Sequence, residues 1–130
     1  MFGGHALEIV MLLALLEYSI LGAMVGRARQ TYGVEAPATT GNPDFERYFR
    51  VHANTLEALI VFLPALWIFS YSVNYHLGVV LGLLFVIARI VYAAGYLSAA
   101  SKRSTGAIAT ALINGILVIV PLIWIVIKVL

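Results

Sequence analysis

The residues from Arg47 to Glu57 have the types and spacing to do chemistry. Arg47, Arg50, Asn54 and Glu57 lie three, four and three residues apart, a pattern that puts all four on one face of a helix. A guanidinium binds a carboxylate through its planar fork. Asn offers a donor and an acceptor, and Glu takes an ammonium or orients an Arg. A second series, Arg89, Tyr92, Tyr96 and Arg103, is spaced three, four and seven residues apart and shares a face if its helix continues through Ser101. Each residue also has a plainer reading. Arg50 and Glu57 could form a polar seam between helices, Tyr96 could be an interfacial belt residue, and Arg103 beside Lys102 could be a charge anchor. The argument for a site is that both series reach the same mouth, where they describe a pocket for a small, polar, anionic ligand.

The elements that must position these residues are strongly apolar. The chain has 130 residues, of which 62% are hydrophobic and 11% charged, against about 45–50% and about 25% in soluble domains. Its solvent is therefore lipid. Four stretches approach the roughly 20 apolar residues that a span requires: Ala6–Val25, a run ending in Ala58–Val73, Leu77–Leu97, and the uncharged Ala107–Ile127. Asn42 as N-cap, Pro43 at the first helical position, and Asp44 and Glu46 in the first turn start the second helix well before its apolar run. The expectation is one all-α domain over residues 1–130, with helices at about 5–27, 43–71, 76–100 and 105–128. A real loop, 30–42, separates the first two helices. The later connections are short, which favours antiparallel neighbours and an up-down bundle of four transmembrane helices. Pro64 and Pro121 should kink the second and fourth helices. The N-terminal stretch lacks a basic region and a small-residue cleavage pattern, and is expected to be a retained helix.

Charge inside these spans is costly, about 2.5–3.5 kcal/mol per ionisable group on insertion scales. Glu17 is expected to pair with Arg89 or with Arg50. Glu8 lies nine residues before Glu17 and shares no tight face with it. His52 is off the Arg50 series and could touch a neighbouring subunit, while His5 and His76 carry no expected role. Arg27, Arg29, Arg47, Arg50, Lys102 and Arg103 gather on the side of the first and third loops, against Lys128 alone on the other. Those two loops are expected in the cytoplasm.

The composition also excludes chemistry. The chain has no Cys, so it forms no disulfide, thiolate metal site or palmitoyl anchor, and any thiol must come from a ligand. Its formal net charge of +2 leaves no nucleic-acid footprint. No His or carboxylate cluster has metal spacing, and no Gly-rich loop cradles a phosphate.

The segment RARQTYGVEAPATTGNPDFERYFRVHANTLEALIVFLPALW, followed by ARIVYAAGYLSAASKRSTGA, resembles the membrane-associated proteins in eicosanoid and glutathione metabolism (MAPEG). The resemblance is greatest in the branch of microsomal glutathione transferases and leukotriene C4 synthase. It covers roughly Arg27 to Gly106 and rests on the FERxxRxxxNxxE pattern combined with RxxYxxGY. The first and fourth helices match only as apolar spans.

The resemblance implies a homotrimer that binds glutathione as co-substrate between neighbouring subunits near the cytoplasmic face. Arg50, Asn54, Glu57, Tyr92 and Tyr96 would hold the tripeptide from one subunit, and Arg29, His52 and Arg103 would reach it from the next. Arg103 stands at the position assigned to thiolate stabilisation. A guanidinium there lowers a thiol pKa from about 8.5 and so favours the nucleophile. Two departures stand out: Ala58 where some members have Tyr, and Gln30 where the leukotriene synthase has a second Arg. The implied activity is glutathione transfer to an apolar electrophile from the bilayer, with reduction of lipid hydroperoxides as an additional activity. The alternatives are a non-catalytic lipid-presenting protein of the same fold and a small transporter. The short loops and the absence of a retention signal favour a bacterial inner membrane over endoplasmic reticulum.

Overall fold

The computed structural model describes residues 3–130. It contains four long helices, α1 (Ala6–Tyr32), α2 (Pro43–Ser72), α3 (Tyr75–Ser98) and α4 (Ser104–Val129), with a 3-10 turn, Ala100–Arg103, between α3 and α4. All four are long and apolar enough to cross a membrane. Even the shortest, α3, with 24 residues, gives roughly 36 Å of helix at about 1.5 Å per residue, against a hydrocarbon core of about 30 Å. The chain is an integral multi-pass membrane protein.

The helix ends follow local chemistry. Asn42 Oδ1 accepts from the backbone N–H groups of Asp44 at 2.9 Å and Phe45 at 3.0 Å, and Pro43 follows in the first turn. Asp44 also pairs with Arg47. Asn74 caps α3 in the same way, accepting from Leu77 N at 2.9 Å. At the other end, α1 runs past the expected boundary near residue 27. Arg27, Arg29 and Gln30 lie within it, and it stops only where Gly33 takes a left-handed conformation with φ 68°, which a side chain disfavours. The first loop is therefore 33–42. Pro64 and Pro121 lie inside continuous helices and line one groove between α2 and α4.

The condition for a shared face in the second series is not met at the end of α3. The helix does not continue through Ser101. Ser98 Oγ donates to Gly95 O at 2.8 Å, Ala99 is extended at φ −163° and ψ 136°, and the chain tightens into the 3-10 turn. Arg103 thus starts α4 and is not carried on the face of α3.

Lipid supplies no hydrophobic drive between helices, so the bundle is held by close packing and by interhelical hydrogen bonds. The main core joins all four helices through Leu7, Phe62, Leu66, Phe85 and Leu117, with Phe62 and Phe85 stacked at 3.6 Å. Two smaller clusters lie toward the first loop: Leu21, Val51 and Tyr92, and Val25, Ala28, Val34 and Phe45. Glycine permits the tightest crossings. A Cβ at Gly106 would stand 2.4 Å from the backbone N and Cα of Tyr92, whereas one at Gly115 would meet nothing within 4 Å.

That contrast makes a test. Gly106→Ala forces α3 and α4 apart and should lower stability by about 1–3 kcal/mol, the usual cost of overpacking. Gly115→Ala in the same helix should be neutral or stabilising by up to about 1 kcal/mol. Thermal unfolding of the detergent-solubilised protein checks both. Equal effects of the two changes would contradict the close crossing.

Candidate functional site

One residue from each helix meets between the main core and the two smaller clusters. Arg89 on α3 is 3% exposed. Its Nη2 donates to Thr55 Oγ1 of α2 at 2.6 Å and its Nη1 to Thr110 Oγ1 of α4 at 3.5 Å. Both hydroxyls in turn donate to helix carbonyls, Thr55 to Val51 O and Thr110 to Gly106 O. Glu17 of α1 lies within electrostatic reach of Arg89. The expected Glu17 partner is therefore Arg89 rather than Arg50, but the two interact across a gap. Glu17 Oε1 and Arg89 Nε are both buried without a hydrogen-bond partner.

From this layer the second series runs outward as alternating cations and rings. The Arg89 guanidinium sits 3.9 Å from the centroid of Tyr92. Tyr92 and Tyr96 meet edge-on at 5.7 Å, and the Arg103 guanidinium lies 5.6 Å from the Tyr96 ring. Guanidinium–ring contacts contribute about 0.5–1 kcal/mol when exposed and about 2 when desolvated. The 3-10 turn brings Arg103 to Tyr96 by a different route from the helical register of the sequence. Its placement depends on Gly95, where a Cβ would stand 2.4 Å from Lys102 O. Arg103 is itself exposed and donates to Ala100 O at 3.2 Å.

The first series divides between two faces. Asn54 turns inward, and its Nδ2 donates to Tyr92 Oη at 2.6 Å. This bond joins the two series. Arg50 and Glu57 are exposed on the surface of the chain, and neither makes a side-chain hydrogen bond or ion pair among the described residues. Glu57 directly precedes the apolar half of α2. Arg47 is occupied by Asp44.

Two further residues serve their own chain. His52 stacks on Tyr18 at 4.3 Å and 11°, against Gly22, where a Cβ would approach its Nε2 to 3.1 Å. Arg29 folds the first loop: its Nη1 donates to Ala38 O at 2.7 Å and Val34 O at 3.4 Å, and the guanidinium covers Phe45. A cavity of about 270 Å³ at this end is lined by Met24, Arg27, Ala28, Thr31, Tyr32 and Tyr48 and contains neither series. Within one chain the series form a polar ladder on the inside and two unpaired charges on the outside, not an enclosed pocket.

Sequence reasoning missed Thr55 and Thr110. The available signal was the need itself: a buried guanidinium requires acceptors, and these hydroxyls fall inside spans on neighbouring helices. Asn114 was missed as well. Its Nδ2 donates to Ala58 O at 3.2 Å, a cross-link between α4 and α2.

Fold and site together define a four-helix membrane protein with a polar ladder on α2 and α3 that opens toward the first and third loops. The chain belongs to the MAPEG family, whose model matches residues 7–123. It is 49% identical over 107 residues to an uncharacterized protein of Synechocystis sp., covering 82% of this chain and 78% of that one. It is 39% identical over 100 residues to human microsomal glutathione S-transferase 2, covering 77% and 68%. Over 97 residues it is 35% identical to rat leukotriene C4 synthase, covering 75% and 65%.

Proposed function

We propose that this protein is a membrane-bound glutathione transferase working as a homotrimer. The observation that carries the reading is the division of the α2 series. Asn54 is locked to Tyr92 beside the Tyr96–Arg103 pair, while Arg50 and Glu57 on the same helix face outward without partners. Charges at that position call for a covering surface, and a second subunit would supply one while closing a cleft over the ladder. Similarity to a microsomal glutathione S-transferase supports the choice of ligand.

In this reading Arg50 takes a carboxylate of the tripeptide, Glu57 its ammonium, and Asn54, Tyr92 and Tyr96 its polar backbone. Arg29 and His52 approach from the adjacent subunit, while Arg103 comes from the same chain as Tyr96, whose ring its guanidinium faces at 5.6 Å. Arg103 stabilises the thiolate, with Lys102 adding positive potential. The thiolate sulfur attacks an electrophilic carbon of an apolar substrate that arrives from the bilayer, forming a C–S bond as the leaving group departs or the acceptor bond takes a proton. A lipid hydroperoxide would be reduced at the same place by two glutathiones, giving the alcohol, water and glutathione disulfide.

Arg103→Ala should lower turnover on a generic aromatic electrophile roughly ten- to hundredfold, the scale of losing a charge-assisted hydrogen bond of about 1.5–3 kcal/mol. Glutathione affinity should change much less, because the interaction develops once the proton has left. Thiolate absorbance of the bound tripeptide should fall in parallel, and Arg103→Lys should recover only part of both. Normal turnover with an unchanged thiolate signal would make Arg103 an anchor only.

Assembly has its own test. Native mass spectrometry of the detergent-extracted protein should give a trimer. A fully active monomer would refute the shared site.

The Lys/Arg asymmetry supports a topology in which the first and third loops face the cytoplasm, in a bacterial inner membrane. The chain has no Cys of its own, so Thr39→Cys gives a clean probe. An impermeant thiol reagent should reach it only from the cytoplasmic side, and labelling from outside alone would reverse the topology.

A further inference from the structure

The proposed glutathione residues leave the most buried charge in the bundle unused. Arg89 is assigned no contact with the tripeptide, yet it lies directly against one cleft residue. Thr55 and Thr110 hold the guanidinium from two sides, and Glu17 lies within electrostatic reach on a third. The fourth side is the face of Tyr92, 3.9 Å away. Tyr92 is in turn 3% exposed, and its hydroxyl accepts from Asn54 at 2.6 Å. The ring cannot settle deeper without displacing the guanidinium, and the Tyr92 backbone is itself packed closely against Gly106 of α4.

From this geometry we infer that Arg89 is a positioning residue: braced by Thr55 and Thr110, it fixes the Tyr92 ring so that the Asn54–Tyr92 pair is preformed for glutathione. The inference rests on the reading of the cleft given above. Preformed polar pairs cost little ordering on binding, so a loosened Tyr92 should weaken glutathione capture more than it slows the chemical step. A guanidinium suits the task because it can bond in its own plane to two hydroxyls while its flat side covers a ring. An ammonium offers charge without that shape.

The test is a double-mutant cycle on the full-length protein in detergent, with glutathione and a generic aromatic electrophile. Arg89→Lys keeps the charge and should raise the glutathione KM about five- to tenfold while kcat stays within about twofold, a size typical of coupling between contacting residues. Tyr92→Phe removes the hydroxyl that receives Asn54 and should also raise KM. In the Tyr92→Phe background, Arg89→Lys should have almost no further effect on KM, because its influence passes through that hydroxyl. Thr55→Val, which removes the 2.6 Å acceptor at nearly constant shape, should repeat the pattern and serves if Arg89→Lys does not fold. Multiplying KM effects, each change acting as strongly with Phe at 92 as with Tyr, would show that Arg89 merely supports the bundle and would overturn the inference alone. Wild-type protein that binds no glutathione would overturn the reading of the cleft, and this inference with it.

Discussion

The structure depends on satisfying one guanidinium inside a membrane. Arg89 is almost fully enclosed, and a charge in that setting is tolerated only when its donors find acceptors and its field finds an opposite sign. Thr55 and Thr110 supply two acceptors from neighbouring helices and Glu17 lies within electrostatic reach on the third, while Arg89 Nε has no hydrogen-bond partner among the described residues. Shifting α2 by a single residue would remove the Thr55 acceptor and shifting α4 the Thr110 acceptor, so the layer sets the register of both helices against α3. Apolar side chains facing lipid on one side and lipid-like neighbours on the other could not do this alone. The core residues on either side of the layer then pack within a register already determined.

The same layer divides the bundle by chemistry. Toward the second loop lies the large apolar core built around Phe62 and Phe85. Toward the first and third loops come Tyr92, Asn54, Tyr96 and Arg103, a graded passage from buried ring to exposed cation. Each step is supported from behind by the one before. The Tyr92 ring rests on Arg89, Tyr96 on Tyr92, and the Arg103 guanidinium faces Tyr96.

Much of this was legible in the sequence because the signals were local. Four apolar runs and Asn42 with Pro43 act within one helix, where periodicity and capping suffice, whereas the spacing of Arg50, Asn54 and Glu57 did not reveal that Asn54 turns inward while the two charges stay exposed. Glu17 and Arg89 each advertised a need for a partner, and electrostatics joined them. What escaped depended on three dimensions or on competition among short-range bonds. Arg103 reaches Tyr96 through a 3-10 turn set by Ser98 and Ala99 rather than through helical periodicity. Thr55 and Thr110 look like ordinary small residues until the helices are superposed around Arg89. His52 stacks on Tyr18 within its own chain, a contact that helical spacing on α2 alone could not reveal.

The two ends of the bundle are fastened differently. Near the second loop, Tyr75 Oη accepts from Leu7 N and donates to Gly3 O, both at 3.2 Å, which pins the start of α3 to the start of α1. Close by, Asn74 N bonds to Phe69 O at 3.2 Å in the tight α2–α3 connection. At the opposite end, α1 and α2 are joined by the ten-residue span 33–42, gathered mainly by one arginine side chain bonded to Ala38 O. At that same end α3 and α4 stay close, joined by the 3-10 turn and packed where Gly106 meets Tyr92, so the one long connection falls between α1 and α2. Residues could be added to or removed from that connection at little cost to the bundle, because the entropy of closing a loop grows only slowly with its length.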